Sequence, residues 1–287
     1  MSQATASELK TAPLVVAQPR PIVHRTRGRR HGPITRLMSP SDLGEMLKPF
    51  VFLDLFDIET SSFPAVSLHP HSGIATVTHI FEGSVRYEDT TGATGVFSEG
   101  GVEWFKAGRG AWHGGGPGDH KRTRGFQLWI ALPPDHELGP VESIYLAADT
   151  IERDGPARVL VGAYGKAKSP LVAPSSLNYL AVRLKAGDSW RYQPPVDHSV
   201  AWIAIGKGRV ATPQTAEAGE LIAFERSNQA IDFTAEADAE FVLGSAPRHR
   251  HDLVLGYYSV HTSPSSLQKG EWQIAEVEAR LKQHGRL

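Results

Sequence analysis

Two neighbouring stretches decide the fold, residues 68–83 (LHPHSGIATVTHIFEG) and residues 101–113 (GVEWFKAGRGAWH). Each contains a short run of β-branched, aromatic and apolar residues, at 74–81 and 102–106, bounded by turns that contain glycine. Runs of this length and composition are typical of β-strands joined by tight turns. We therefore predict that the histidines of both stretches belong to one β-structure.

The same kind of short run recurs along most of the chain outside these two stretches. Further candidate strands are residues 51–56, 84–88, 125–132, 158–164, 178–184, 200–205, 220–224 and 239–243. The chain contains 28 glycines and 20 prolines, which are suited to the turns between these strands. Many short strands with turn signals indicate a sandwich or a barrel, and a double-sheet jelly roll fits this pattern.

A weak internal repeat indicates that the barrel occurs twice. The first copy extends from His71 to residues 101–105, and the second extends from His198 to residues 219–224. Each copy contains a histidine, a strand, a hairpin centred on glycine and a second strand that begins with glycine. After the second copy, apolar residues at helical spacing and two i,i+4 ion pairs predict a helix over residues 269–283.

We therefore predict an all-β protein of two tandem jelly-roll barrels with a C-terminal helix. The expected organisation is a flexible tail at residues 1–21, a first barrel at 22–148, a second barrel at 149–265, and a helix at 266–287 that packs on the barrels. The boundary between the barrels falls in residues 149–156, which are polar and turn-prone.

Composition narrows the classes of function. The 287 residues contain 30 Lys+Arg against 31 Asp+Glu, a net charge of −1, so we expect no nucleic-acid partner. Cysteine is absent, which excludes disulfides, thiolate metal sites and a cysteine nucleophile. The sequence also lacks an apolar run of roughly 20 residues and a signal-peptide core, so we expect a cytoplasmic protein that does not enter a membrane.

The chemistry concentrates between His69 and His113. On an extended chain, His69 and His71 project to the same face, about 7 Å apart, and can converge on one ion. Three neutral imidazoles suit iron, copper, nickel or zinc and leave coordination positions open for water, dioxygen or substrate. Surface histidines, or core histidines held by hydrogen bonds, are the alternative interpretation of the same residues.

These residues resemble the signature of the pirin family. That signature is His-Pro-His-x-Gly, a strand with Thr-Val-Thr that ends in Glu-Gly, then Trp-x-x-Ala-Gly-x-Gly and a histidine; it corresponds here to residues 69–73, 76–83 and 104–113. Residues 50–56 (FVFLDLF) are similar to an upstream family segment, and the resemblance is dense from about residue 49 to 132. It implies a bicupin, that is, two cupin barrels with one mononuclear metal site in the N-terminal barrel.

The resemblance assigns His69, His71 and His113 as metal ligands, with iron as the expected metal and nickel, copper or zinc as alternatives. Pirins add a glutamate two residues after the third histidine, where this chain has Gly115. A glutamate that cupins in general place four residues after the second histidine is Ala75 here. The missing fourth ligand leaves a protein without metal as an open alternative, and it leads us to expect that Gly115→Glu strengthens metal binding.

Four further residues are candidates for the pocket. His79 shares the parity of His71 on an unbroken strand, and Trp112 adjoins His113 and could contact an aromatic ligand. Asp119 and His120 follow the glycine run after His113 and could reach the ion through a loop.

Three hypotheses for function follow. Some pirins are associated with quercetin 2,3-dioxygenase activity, so the first hypothesis is a metal-dependent oxygenase that acts on a small aromatic or enolic substrate. Other members are described as transcriptional cofactors or redox-responsive partners, so the second is a regulatory or binding protein with a weakened or lost metal site and a protein partner. The third is a different metal-dependent reaction, such as hydrolysis or isomerisation.

Overall fold

The computed structural model describes residues 18–62 and 66–287. Within them, the first half of the chain has twelve strands, β1 (Ile22–Thr26), β2 (Arg29–His31), β3 (Ile34–Met38), β4 (Phe50–Glu59), β5 (Val66–His71), β6 (Ile74–Glu82), β7 (Ser84–Asp89), β8 (Thr94–Ser98), β9 (Val102–Lys106), β10 (Ala111–Pro117), β11 (Arg122–Ala131) and β12 (Glu142–Leu146). A short helix, α1 (Leu43–Leu47), precedes β4, and a 3-10 turn, Thr60–Ser62, follows β4.

The second half begins with a 3-10 turn, Ala148–Thr150, and ends with the long helix α2 (Pro264–Gln283). The strands between them are β13 (Arg153–Asp154), β14 (Ala157–Val161), β15 (Ala163–Tyr164), β16 (Ala167–Lys168), β17 (Asn178–Leu184), β18 (Ser189–Tyr192), β19 (Val200–Lys207), β20 (Arg209–Thr212), β21 (Gln214–Glu217), β22 (Leu221–Phe224), β23 (Ile231–Ala235), β24 (Ala239–Ala246), β25 (Val254–Gly256) and β26 (Ser259–His261).

The strands form two barrels, each built from one large and one small antiparallel sheet. In the first barrel, a seven-stranded sheet of order β12-β9-β6-β11-β4-β3-β2 accompanies a four-stranded sheet of order β5-β10-β7-β8. In the second, a seven-stranded sheet of order β1-β22-β19-β24-β17-β14-β13 accompanies a four-stranded sheet of order β18-β23-β20-β21. The prediction of an all-β bicupin with a C-terminal helix is confirmed.

The large sheets of the two barrels share one apolar core. Trp104 and Phe126 of the first barrel belong to the same buried cluster as Tyr179 and Trp202 of the second. Both faces of this sheet are covered, so successive residues of β6 point alternately into the core between the barrels and into the interior of the first barrel. Val77 belongs to the core between the barrels, whereas its neighbours on the other face are directed into the first barrel.

The N-terminal end of the described chain contacts the second barrel rather than the first. Strand β1, expected in the first barrel, pairs instead with β22 of the second, with Ile22 opposite Phe224. Most of the expected flexible tail, residues 1–17, lies outside the described residues. Within that tail, Arg20 is buried and donates from Nε to the carbonyl of Glu225 and from Nη2 to the carbonyl of Ser199, both at 2.8 Å. The end of the expected tail is therefore anchored to the second barrel.

Helix α2 packs on the first barrel and begins earlier than the sequence pattern predicts. Ser263 caps it by accepting a hydrogen bond from the Ser266 amide, and Pro264 occupies the first turn, where its missing amide proton costs nothing. Its buried residues Ile274 and Val277 join a cluster with Leu68 of β5. Among the described residues, the helices lack the combination of length and apolar character that crossing a membrane requires.

Candidate metal centre

Strand pairing brings three histidines together. Strand β5 pairs with β10 so that His69 lies opposite His113 and His71 lies opposite Ala111. Because residues i and i+2 of a strand point to the same face, the rings of His69 and His71 both lie beside that of His113. One ring nitrogen from each of the three histidines lies within 4.8 Å of the other two. His71 and His113 are buried, and His69 is half-buried.

Main-chain carbonyl oxygens hold the Nδ1 atoms of two of these histidines. His69 Nδ1 donates to the carbonyl of Ser67, and His71 Nδ1 donates to the carbonyl of Tyr258, each over 3.0 Å. A carbonyl oxygen can only accept, so the proton stays on Nδ1 and the lone pair on Nε2 is free. Tyr258 has a left-handed backbone with φ 54° in the turn between β25 and β26. The C-terminal hairpin therefore orients a histidine of β5.

A carboxylate orients the third histidine. His113 Nδ1 lies 3.1 Å from Oε1 of Glu103, and both side chains are buried. In the part of the chain that the structure describes, Nε2 of His71 and Nε2 of His113 are buried without a hydrogen-bond partner. Each such unpaired atom costs about 1–3 kcal/mol. A metal ion bound by Nε2 removes this cost, so the three histidines fit a divalent ion.

Burial keeps His69 and His71 in the neutral form, which is the form that binds metals. Burial lowers the pKa of His69 to about 4, with the charge of His113 acting in the same direction. Burial also holds the pKa of His71 well below its ordinary value. For Glu103, burial raises the pKa, but the charge of His113 and several hydrogen bonds outweigh it and lower the pKa overall. At neutral pH, His69 and His71 are therefore neutral imidazoles, and Glu103 is an ionised carboxylate.

A buried hydrogen-bond network holds Glu103 in place. Thr78 Oγ1 donates to its Oε2, and the hydroxyl of Tyr145 lies 3.3 Å both from its Oε1 and from Oδ2 of Asp89. The hydroxyl of Ser143 donates to the same oxygen of Asp89, which is fully buried. Because its acceptor oxygens are bonded on more than one side, the Glu103 carboxylate is fixed in orientation rather than free to rotate.

Glu103 was not among the candidates predicted from the sequence, because carboxylates were considered only at the two family positions and at Asp119. One signal was available in the strand pattern. Glu103 stands between Val102 and Trp104, both of which face the core between the barrels, so it faces the interior of the first barrel. A single acidic residue directed into a barrel is costly unless it is paired.

The position that carries the pirin glutamate has no room for a side chain here. Strand β10 is paired on both sides, with β5 and with β7, and a Cβ on Gly115 would lie 1.9 Å from the carbonyl oxygen of Arg86. The pairing of β10 with β5 also shifts register between His113 and Gly115, which breaks the simple alternation of faces. We therefore withdraw the expectation that Gly115→Glu strengthens metal binding.

His79 does not join the three histidines. Its Nδ1 donates to the carbonyl of Gly101 over 3.0 Å, and its ring lies edge-on to Phe81 with centroids 4.8 Å apart. The turn at residues 72–73 separates β5 from β6, so the even spacing from His71 does not carry over. In β6, His79 lies on the opposite face from Thr78, which lines the barrel interior.

The other three pocket candidates also lie elsewhere. Trp112 packs under α2, and its Nε1 donates to the carbonyl of Ile274 over 3.2 Å. It faces away from the histidines because neighbouring residues of a strand alternate in direction. Asp119 is exposed and forms an ion pair with Arg86. His120 is also exposed, and its Nδ1 is bonded to a serine hydroxyl at the start of β7.

A cavity of about 130 Å³ inside the first barrel adjoins the histidines. His69, His113 and Glu103 contribute to its wall, and Thr78 and Gln127 add polar groups. The rest of the wall is mostly apolar, and the glycines of β10 line one side. The arrangement can thus hold a small molecule directly against the three-histidine group.

Comparisons with known proteins agree with this geometry. The family model described as Pirin matches residues 32–130. A pirin-like protein of Caulobacter vibrioides is 34% identical over 194 residues, which cover 62% of this chain and 67% of that protein. The chain belongs to the pirin family. The matched region of this pirin spans β5, β10 and the three histidines.

Relatives of this pirin, and solved structures of other proteins with a similar fold, match it over most of its length. A Pseudomonas aeruginosa protein, named as a quercetin 2,3-dioxygenase candidate, is 28% identical over 243 residues, which cover 78% of this chain and 84% of that protein. The crystal structure of a quercetin 2,3-dioxygenase from Acinetobacter baumannii superposes with a TM-score of 0.83 at 22% identity, covering 91% of this chain and 98% of that one. A bacterial pirin from Escherichia coli in complex with nickel(II) has a TM-score of 0.63 at 19% identity, covering 81% and 99%.

Proposed function

We propose that this pirin is a metal-dependent oxygenase for a small enolic or phenolic substrate, with His69, His71 and His113 as metal ligands. The observation that carries the proposal is the pair of buried Nε2 atoms without partners, on His71 and His113, within a group whose ring nitrogens converge within 4.8 Å. An ion held there would supply Lewis-acid and redox chemistry to an enolate and dioxygen.

The protein's own residues would supply binding, orientation and shielding. The cavity beside His69 and His113 would hold the substrate, and its apolar wall would exclude water from the reacting atoms. Glu103 would fix the ring of His113 and raise its basicity, as carboxylates behind metal-bound histidines commonly do. The carbonyl of Tyr258 would do the same for His71.

The names of similar proteins support an oxygenase reaction and a divalent transition metal as classes. One relative is named as a quercetin 2,3-dioxygenase candidate, and one structure of the same fold contains nickel(II). Neutral imidazoles accept iron, nickel, copper and zinc, and iron is our first choice because it can supply both Lewis-acid and redox chemistry.

The first experiment is elemental mass spectrometry of the purified protein, together with two matched variants. We expect about one equivalent of a divalent transition metal in the wild type, and its loss in His71→Ala. His198→Ala is the control, because it removes the histidine at the corresponding place in the second barrel and should leave the metal content unchanged. If His71→Ala retains its metal, the ligand assignment is wrong.

Oxygen uptake then separates the candidate functions. Uptake by the metal-loaded protein with small enols or phenols supports the oxygenase, whereas a stable metal without uptake favours hydrolysis or isomerisation. A protein that fails to bind added metal supports the regulatory alternative with a protein partner. The observation that favours this alternative is Gly115, where β10 leaves no space for the fourth ligand of the family.

A further inference from the structure

The size of the cavity limits which substrates can reach the three histidines. Its volume is about 130 Å³. An engineered cavity of roughly 150 Å³ in another protein holds one benzene molecule, whereas pockets for drug-sized molecules occupy roughly 300–1,000 Å³. A flavonol has three rings and belongs to the second class. The cavity has room for one ring, so the other two rings of a flavonol would have to lie outside it.

The chemistry of the wall narrows the class further. Phe56, Ile58, Val85 and Phe97 give it an apolar surface that suits a ring. Glu103 is the charged group of the wall among the described residues, and its carboxylate is buried. In the metal-free cavity a second negative charge would meet repulsion without a compensating Lys or Arg on the wall, whereas a bound divalent ion would offset that charge. The wall itself therefore suits an apolar ring, and any negative charge of the substrate has to be met by the ion.

We propose, on the basis of the function proposed above, that the site selects a substrate with a single ring or an equally small enol, and that it excludes three-ring flavonols. The apolar part of the wall formed by β7 and β8 decides this selection. Phe97 of β8 lies opposite Val85 of β7 in the sheet register, and the two side chains belong to one apolar cluster. They are the specificity-determining residues of this cavity.

The test uses shape probes that do not chelate metals, namely phenol with one ring, 2-naphthol with two and flavone with three. Binding is measured by isothermal titration calorimetry and saturation-transfer NMR on the full chain, both metal-free and loaded with zinc. We expect saturable binding of phenol in both forms, and no binding of flavone within its solubility. Because the metal-free protein is included, a failure of the metal proposal is separated from a failure of the size proposal.

Two Val→Phe substitutions on the neighbouring strands β7 and β8 test whether the cavity wall determines which probes bind. Val85→Phe should fill the cavity and weaken phenol binding at least 10-fold while the metal content stays that of the wild type. Val96→Phe is the matched control, because Val96 is 58% exposed on β8, lies outside the cavity wall and should leave phenol binding unchanged. Phe97→Leu should enlarge the cavity and allow 2-naphthol to bind at least as tightly as phenol.

Saturable binding of flavone to the wild type overturns the proposal, and so does a failure of phenol to bind. Equal effects of Val85→Phe and Val96→Phe would also overturn it, because the cavity would then not be where phenol binds. If Phe97→Leu is unfolded, as judged by circular dichroism, Ile58→Val is used to enlarge the same wall by a smaller volume.

Discussion

Each barrel has a buried histidine at the corresponding position of the internal repeat, but the ring nitrogens of the two histidines have different hydrogen-bond partners. In the second barrel, His198 Nδ1 lies 2.8 Å from the hydroxyl of Ser245, and its Nε2 lies 2.9 Å from the hydroxyl of Ser176. Both nitrogens are thus satisfied within the protein. In the first barrel, His71 and His113 use only Nδ1, and Nε2 is left without a partner. The same residue type is a structural element in one barrel and a candidate ligand in the other.

The barrel interiors differ in the same sense. A cluster of aromatic side chains packs inside the second barrel. Trp190 stacks on Phe233 with ring centroids 5.4 Å apart, and the centroids of Phe233 and Phe241 are 5.2 Å apart. The corresponding space of the first barrel contains Glu103 and the small cavity. Buried polar groups and voids cost free energy. The interior of the first barrel therefore contributes less to folding stability than the well-packed interior of the second.

The largest effect that we expect comes from the glycine strand of the first barrel. Gly115→Glu should destabilise the protein by about 3 kcal/mol, because its Cβ would collide with the Arg86 carbonyl. Urea denaturation measures this. Gly219→Glu in the second barrel is the control, because nothing lies within 4 Å of a Cβ there and only the strain of its φ of +82° remains. Equal stability of the two variants would show that β10 can move aside.

A smaller effect should follow from making the surroundings of His113 resemble those of His198. Glu103→Gln keeps the shape but removes the charge behind the ring, so metal affinity should fall by about 10- to 100-fold. Competition with a chelator measures the affinity. Glu142→Gln is the control, since Glu142 pairs with Lys106 and does not touch a histidine. An affinity within about threefold of the wild type would show that charge at this position is irrelevant to the site.

The smallest effect concerns pH. Burial lowers the pKa of His79 to about 3, whereas its value in the unfolded chain is about 6.5. Between these two values the unfolded state binds more protons, so stability is lost as the pH falls below about 6.5. His79 alone should account for about 1 kcal/mol between pH 6 and pH 5.

The matched variant His79→Gln removes this titration and should flatten the pH dependence by that amount. Urea denaturation of the metal-free protein at the two pH values measures the difference. His24→Gln serves as the control, because His24 is exposed in β1. If the slope of His79→Gln matches that of the wild type, His79 is accessible to protons in the folded state.

Local sequence patterns were sufficient for the parts of the structure that depend on neighbouring residues. The run of β-branched and apolar residues at 74–81 predicted a strand, and the spacing of His69 and His71 predicted a shared face; the structure has both. The grouping with His113 came from the family resemblance as well as from spacing. Helix α2 was predicted from its apolar spacing, although its start at Pro264 depends on a cap that the pattern did not include.

Contacts between distant residues could not be predicted in the same way. Whether His79 shares a face with His71 depends on a turn that resets the alternation of faces. The partners of the ligand candidates, Glu103 and Tyr258, are selected by strand order and by the return of the chain end, which no local pattern encodes. The crossing of β1 to the second barrel is of the same kind.

The bond between His71 and the carbonyl of Tyr258 has a consequence for the order of events during synthesis. These residues are 187 positions apart in the chain. At about 5–20 residues per second, the ribosome needs roughly 10 to 40 seconds to reach the second partner after the first. Throughout that interval the nascent first barrel lacks the group that orients one of its ring nitrogens. The ring of His71 is therefore held in its final orientation only after most of the chain has been synthesised.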